Sequence, residues 1–225
     1  YPGPANSSKG VQLCHGNCEL GGYSLSRDLA YLRKFLLENP SNVVMLLVEN
    51  YVSTSELVGA MEDANLAAMM WSTPGGMSPT SNAATFVWPT LQHMIDSGAQ
   101  VMLFPDTTTD SSHPDWAHYT WDFFYETSYN NKNLGDFLCD VNRGISSDTA
   151  VMAKKATMLN HFLTDPVGAP YLATKANMVT PLKNHYFNCR ESWNVAAVNV
   201  VAVDFWSLQS PLRSVNDINN GGGRV

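Results

Sequence analysis

Apolar positions along this chain follow two rhythms. Between Ser24 and Asn39 they recur at Leu25, Leu29, Leu32, Phe35 and Leu36, while Arg27, Asp28, Arg33 and Lys34 fall elsewhere. That spacing is the apolar face of a helix. Asn39-Pro40 closes it, because proline drives the preceding residue out of the helical region. Val43–Val48 then runs apolar without alternation, as in a strand of a parallel sheet covered on both faces.

The two rhythms continue in turn. Helices are expected over Ser55–Ala68 and from Trp88-Pro89 to Ser97, where Gly98 ends the second. Tyr171–Cys189 is helical in part, with Pro181 limiting its length. Strands are expected at Val11–Cys14, Val101–Phe104, Met158–Leu163 and Ala196–Trp206, and the aromatic-rich Tyr119–Tyr125 also reads as strand-like. Trp71–Asn82 reads as a mobile surface loop, Thr107–Trp116 as a polar loop, 1–10 as an exposed loop and 219–225 as a flexible tail. Strands alternating with helices argue for a parallel α/β fold, barrel or open sheet, in a single domain over 1–225. Six strand candidates fall short of the eight of a closed barrel.

Composition narrows the class. Charged residues make up 15% and hydrophobic ones 44%, which suits a folded domain. A net charge of −7 argues against nucleic acid as a partner and weakly against tight binding to an anionic membrane. No run approaches the roughly 18 apolar residues of a spanning helix. Four cysteines form an even set, and Cys14-His15-Gly16-Asn17-Cys18 is neither a usual zinc pattern nor a haem-attachment pattern. They read as two disulfides, Cys14–Cys18 and Cys139–Cys189, in preference to free thiols. Asn6-Ser7-Ser8 is a glycosylation sequon and fits a secretory route.

Reactive groups of parallel α/β folds gather at the carboxyl ends of strands. Here those ends carry His15, Glu49, Asp106, Glu126, Asn160-His161 and Asp204. An acidic set with two histidines suits acid–base catalysis, a divalent cation, or both. Blander roles compete for each. A strand-end histidine is more often a hydrogen-bonded structural residue, Glu49 can cap a helix or pair with a lysine, and Asp204 can bind backbone amides. The aromatics Trp116 to Tyr125 suit core or rim packing. No Gly-x-Ser-x-Gly, phosphate-cradling, dinucleotide or His-Glu-x-x-His motif is present.

Leu13-Cys14-His15-Gly16, the serine-led helix, Phe35-Leu36-x-x-Asn39-Pro40 and Val43-Val44-Met45-Leu46-Leu47-Val48-Glu49-Asn50 resemble the phosphatidylinositol-specific phospholipase C X-domain-like phosphodiesterases, in particular their secreted fungal and plant branch. Trp88-Pro89-Thr90, Tyr119–Tyr125 with Glu126-Thr127, Met158–Leu163 and Val203-Asp204-Phe205-Trp206 follow in the family's order. The resemblance implies a distorted TIM-type (β/α) barrel in an extracellular protein that cleaves phosphodiesters with two histidines. It implies that His15, in the His-Gly motif, is the general acid, and that Glu49 stands where eukaryotic relatives help hold calcium, making Ca2+ the candidate cofactor. Asp204 is the candidate support for the other histidine, and Asp106, Asn160, His161 and Trp206 are the candidate substrate contacts. Asp106 stands where inositol-phosphate-binding relatives place a base, a departure that argues against inositol specificity.

In the family's order the first-strand histidine and the acidic and arginine residues of the second strand precede His15. The expectation is therefore a barrel lacking its first two strands, with the N-terminal segment of the same protein as partner. The expected reaction is phosphodiester cleavage by an adjacent hydroxyl through a cyclic phosphate, on a phospholipid or glycerophosphodiester headgroup, with transient membrane contact. The alternatives are an inactive secreted binding protein on the same fold and a sphingolipid or lysophospholipid phosphodiesterase.

Overall fold

A two-residue strand, Gln12–Leu13 (β1), pairs antiparallel with Tyr23–Ser24 (β2). The computed structural model that shows this describes residues 10–14, 18, 21–108 and 113–224. Its contacts group them into two units, Tyr1–Phe123 and Phe124–Val225. The sequon at Asn6 and most of the 1–10 loop lie outside the described residues.

In the first unit, Leu25–Glu38 (α1) buries Leu25, Leu29 and Leu36 and stops at Asn39, ahead of Pro40. Val44–Val48 (β3) follows. Thr54–Asp63 (α2) opens on a capping box in which Ser53 Oγ accepts from the Glu56 amide and Glu56 accepts from the Ser53 amide. The helix expected to reach Ala68 ends sooner. Asn65 takes a left-handed conformation (φ 55°), and only a short 3-10 turn, Ala67–Met69, follows it. Leu91–Ser97 (α3) is capped by Thr90 Oγ1 and ends on Gly98 at φ 74°. Val101–Pro105 (β4) lies parallel to β3, with Val44 opposite Val101 and Val48 opposite Pro105. Leu25, Leu29, Leu36, Leu57, Met61, Val101 and Leu103 share the core between these helices and strands.

Two segments here depart from their sequence reading. The Trp71–Asn82 loop is anchored by buried Trp71, which stacks on Trp88 at 5.8 Å and meets the His118 ring at 4.5 Å. Tyr119–Tyr125 is not one strand. Thr120–Phe123 (α4) is a helical turn, fixed by the Thr120 hydroxyl donating to the carbonyls of Phe104 and Pro105, and the strand starts only at Phe124.

In the second unit, Phe124–Glu126 (β5) leads through Thr149–Met152 (α5) to Ala156–Asn160 (β6). Pro170–Ala176 (α6) and Val179–Ser192 (α7) come next, then Val200–Ala202 (β7) and Pro211–Asn219 (α8). β5, β6 and β7 form a parallel sheet in that order. The region Tyr171–Cys189 splits into α6 and α7, and Pro181 falls in the first turn of α7, where its missing N–H costs no helical bond. Of Ala196–Trp206 only three residues are strand. In the tail Arg224 pairs with Glu191 of α7 at 2.7 Å. Cys139 is bonded to Cys189 of α7, and Leu159, Tyr186, Phe187 and Val198 pack around Cys189.

The expected TIM-type barrel is not what the chain forms. Closure needs each strand to be paired on both edges. Among the described residues the ladders are β1–β2, β3–β4 and β5–β6–β7, and none closes. Only β6 has two partners, and β1 pairs antiparallel with β2 instead of extending the β3–β4 ladder. The architecture is α/β with separate small sheets of two or three strands.

Candidate active site

Cys14 and Cys18 are disulfide-bonded, with Cα atoms 5.2 Å apart. The bridge joins the residues on either side of 15–17, and His15 itself lies outside the described residues. Local sequence makes room for the bridge. A Cβ at Gly22 would sit 3.0 Å from Cys14 Sγ and 3.1 Å from the Leu13 carbonyl, so glycine lets the returning chain pass. A cavity of about 560 Å³ lined by Leu13, Cys14, Gly21, Gly22 and Tyr23 lies beside the bridge. The Arg27 guanidinium stacks over the Tyr23 ring at 4.7 Å and pairs with Asp28. In the sequence Arg27 is simply a polar helix position, and only the fold brings it to Tyr23.

Glu49 and Asp106 follow β3 and β4, which places the two acids at neighbouring carboxyl ends of one ladder. They are used differently. Asp106 Oδ1 accepts from the Asn50 amide at 3.1 Å and from Thr107 Oγ1 at 3.2 Å. Asn50 answers by donating to the Thr107 carbonyl and accepting from the Thr107 amide. Asp106 therefore ties the strand ends together. Glu49 is exposed, and its carboxylate accepts from the Tyr51 hydroxyl at 2.5 Å. Tyr51 was not singled out from sequence; its position two residues past the acid, in Glu49-Asn50-Tyr51, was the available signal.

The second-unit candidates sit in buried networks. Glu126, 1% exposed, receives Arg143 Nε at 2.5 Å and Asn160 Nδ2 at 2.9 Å. Asn160 also donates to the Thr127 carbonyl. Gly144 allows this, since a Cβ there would strike the Phe124 carbonyl. His161 is fully buried: its Nε2 donates to the Ala176 carbonyl at 2.8 Å and its Nδ1 faces His185 Nδ1 at 2.9 Å. Burial pushes His161 down to about 4; burial and the neighbouring His161 push His185 down to about 3. His118 is likewise held near 4 by burial among aromatic rings. Asp204 is half-buried after β7, and its backbone carbonyl accepts from Asn177 Nδ2. Trp206 is 65% exposed. Glu49 and Asp106 are thus brought together in the first unit, and Asn160 and His161 share a buried interior in the second. Trp206 stands on the surface.

Among the described residues no three or more His, Cys, Asp or Glu side chains gather into a metal-binding group. Calcium takes about six to eight oxygens. Glu49 is the one exposed carboxylate of its pair and does not by itself fit that ion.

The family model described as PI-PLC X 1 matches residues 4–219. The chain belongs to the PI-PLC X domain family. That membership relates it to phospholipase C-like phosphodiesterases. An "Uncharacterized secreted protein" of Arthroderma benhamiae is 26% identical over 213 residues, covering 88% of this chain and 47% of that protein. A "PI-PLC X domain-containing protein 1" of the same organism is 25% identical over 140 residues, covering 58% of this chain and 42% of that protein. The chain spans less than half the length of these curated relatives. No solved structure matches it. Two disulfides and a secreted relative place this PI-PLC X domain chain in an oxidising, extracellular setting.

Proposed function

We propose that this chain carries the acid side of a site that cleaves phosphodiesters in phospholipid or glycerophosphodiester headgroups. A hydroxyl adjacent to the phosphate attacks phosphorus and loses its proton to a base. The bond from phosphorus to the leaving oxygen breaks, that oxygen takes a proton from His15, and a cyclic phosphate forms. Imidazole suits the acid role because its pKa lies near working pH. The observation that carries the reading is the Cys14–Cys18 bridge on either side of His15 in a chain of the PI-PLC X domain family.

Glu49 cannot stabilise a phosphoryl anion directly, since both are negative. Its role is to hold positive charge in the site, as the imidazolium of His15. The base is the histidine that the family carries on its first strand. Phosphorus NMR of the native protein with glycerophosphodiesters and phospholipids tests the reading: a cyclic phosphate should appear and then open to a monoester. Absence of any new phosphorus signal overturns it. Asp106 favours a second reading, a binding protein without turnover, because it puts an acid locked into strand-end bonds where a base would hold phosphate. In that case the headgroup binds and the spectrum stays unchanged.

A further inference from the structure

His185 of α7 has one ring nitrogen that the fold does not satisfy. Its Nδ1 lies 2.9 Å from His161 Nδ1, and His161 Nε2 donates to the Ala176 carbonyl at 2.8 Å. A neutral His161 thus keeps its proton on Nε2, and the proton between the rings belongs to His185 Nδ1. His185 Nε2 is left as a bare acceptor. The residue is 3% exposed, and this nitrogen has no hydrogen-bond partner among the described residues. The Leu138 carbonyl interacts with the ring and favours its protonated form, but an acceptor does not satisfy a bare nitrogen. A buried polar atom without a partner is costly, and a donor brought to it recovers that cost.

The same residue lines a cavity of about 270 Å³. Water takes about 30 Å³ in the liquid, so the space suits a ring-sized molecule better than a single water. The helical period of α7 builds one wall. Thr180, Asn184 and Asn188 fall four residues apart and bring a hydroxyl and two amides to one stripe. Phe137 and Pro181 add apolar surface, and the Phe137 ring stacks on His185 at 4.8 Å. None of the described residues lining the cavity is charged.

We infer that this cavity binds a neutral sugar in its pyranose form. Hydroxyls round the edge of a pyranose both donate and accept, as the amides of Asn184 and Asn188 do. One hydroxyl donates to His185 Nε2, and the C–H faces of the ring lie on Phe137 and Pro181. An anion would meet the His185 lone pair and find no cation to offset its burial. The phosphodiester reaction proposed above uses none of these residues. They belong to the second unit, whereas the Cys14–Cys18 bridge belongs to the first.

NMR titration of the native protein with the methyl pyranosides of glucose, galactose and mannose tests this without requiring turnover. At least one should bind with a Kd on the order of millimolar, seen as saturation transfer to its ring protons. In nitrogen-labelled protein the His185 Nε2 signal should move upfield as the bare nitrogen gains a donor. Asn184→Ala and Asn188→Ala change the half-buried and exposed side of α7 and should leave folding intact. Asn184→Ala should weaken binding about tenfold, and Asn188→Ala should weaken it in the same direction. No saturation transfer from any of the three glycosides at about 50 mM would overturn the inference. Equal binding by both variants, or binding with an unmoved His185 Nε2 signal, would overturn it as well.

Discussion

His161 Nδ1 lies 2.9 Å from His185 Nδ1, and a contact that short holds one proton, not two. His161 Nε2 donates to the Ala176 carbonyl, so neutral His161 has a bare Nδ1 and His185 supplies the proton between them. Both rings are buried, and Phe137 stacks against His185 at 4.8 Å. The pair is built for neutral imidazoles. Folded pKa values of about 4 and about 3 lie below the unfolded value of 6.5. Between these limits the unfolded chain binds more protons, so stability is full above 6.5 and falls as pH drops toward the folded values. A shift from pH 7 to pH 5 should cost on the order of 2 kcal/mol for each such histidine. Urea midpoints at the two pH values check this; equal midpoints would contradict it.

Arg143 offsets the buried charge of Glu126. Arg143→Ala should destabilise the chain by about 3 kcal/mol, near the low end for breaking a buried pair because the arginine is partly exposed. The loss should shrink when Glu126→Gln is already present. Urea denaturation of both single variants and the double variant measures the coupling, and purely additive effects would refute the pairing's importance.

The Cys139–Cys189 bridge spans 50 residues. A loop of that length predicts a loss of about 4 kcal/mol for Cys139→Ser with Cys189→Ser. Thermal and urea unfolding of the paired variant against the oxidised protein gives the value.

Helix starts and stops were the most legible part of this sequence, because they are local. Asn39-Pro40 ends α1 and Gly98 ends α3 as the sequence suggests, while α3 starts at Leu91, after its Thr90 cap and later than Trp88-Pro89. The disulfide pairs were legible too, because one close pair leaves only the distant pair to join. Strand partnership was not. Nothing in Leu13 or Tyr23 announces an antiparallel pair, and the number of partners of β3 depends on residues far from it in sequence. The same holds in the site. Glu49 was visible as a polar residue at the end of an apolar run, whereas the Asp106–Asn50–Thr107 bonds and the enclosure of His161 by Phe137, Ala176 and His185 needed tertiary structure.

Glu49 is exposed, so removing its charge should leave folding intact. Glu49→Gln should lower phosphodiesterase activity by about tenfold or more without moving the melting temperature, and Tyr51→Phe should have a smaller effect in the same direction. Unchanged activity in Glu49→Gln would remove it from the site.

In the proposed reaction His15 protonates the leaving oxygen. The most direct measurement is kcat of the native protein and of its His15→Ala variant on one phosphodiester substrate. A fall of about a hundredfold or more is predicted, with the variant regaining rate on a substrate whose leaving group needs no proton. An unchanged kcat in His15→Ala would remove His15 from the acid role.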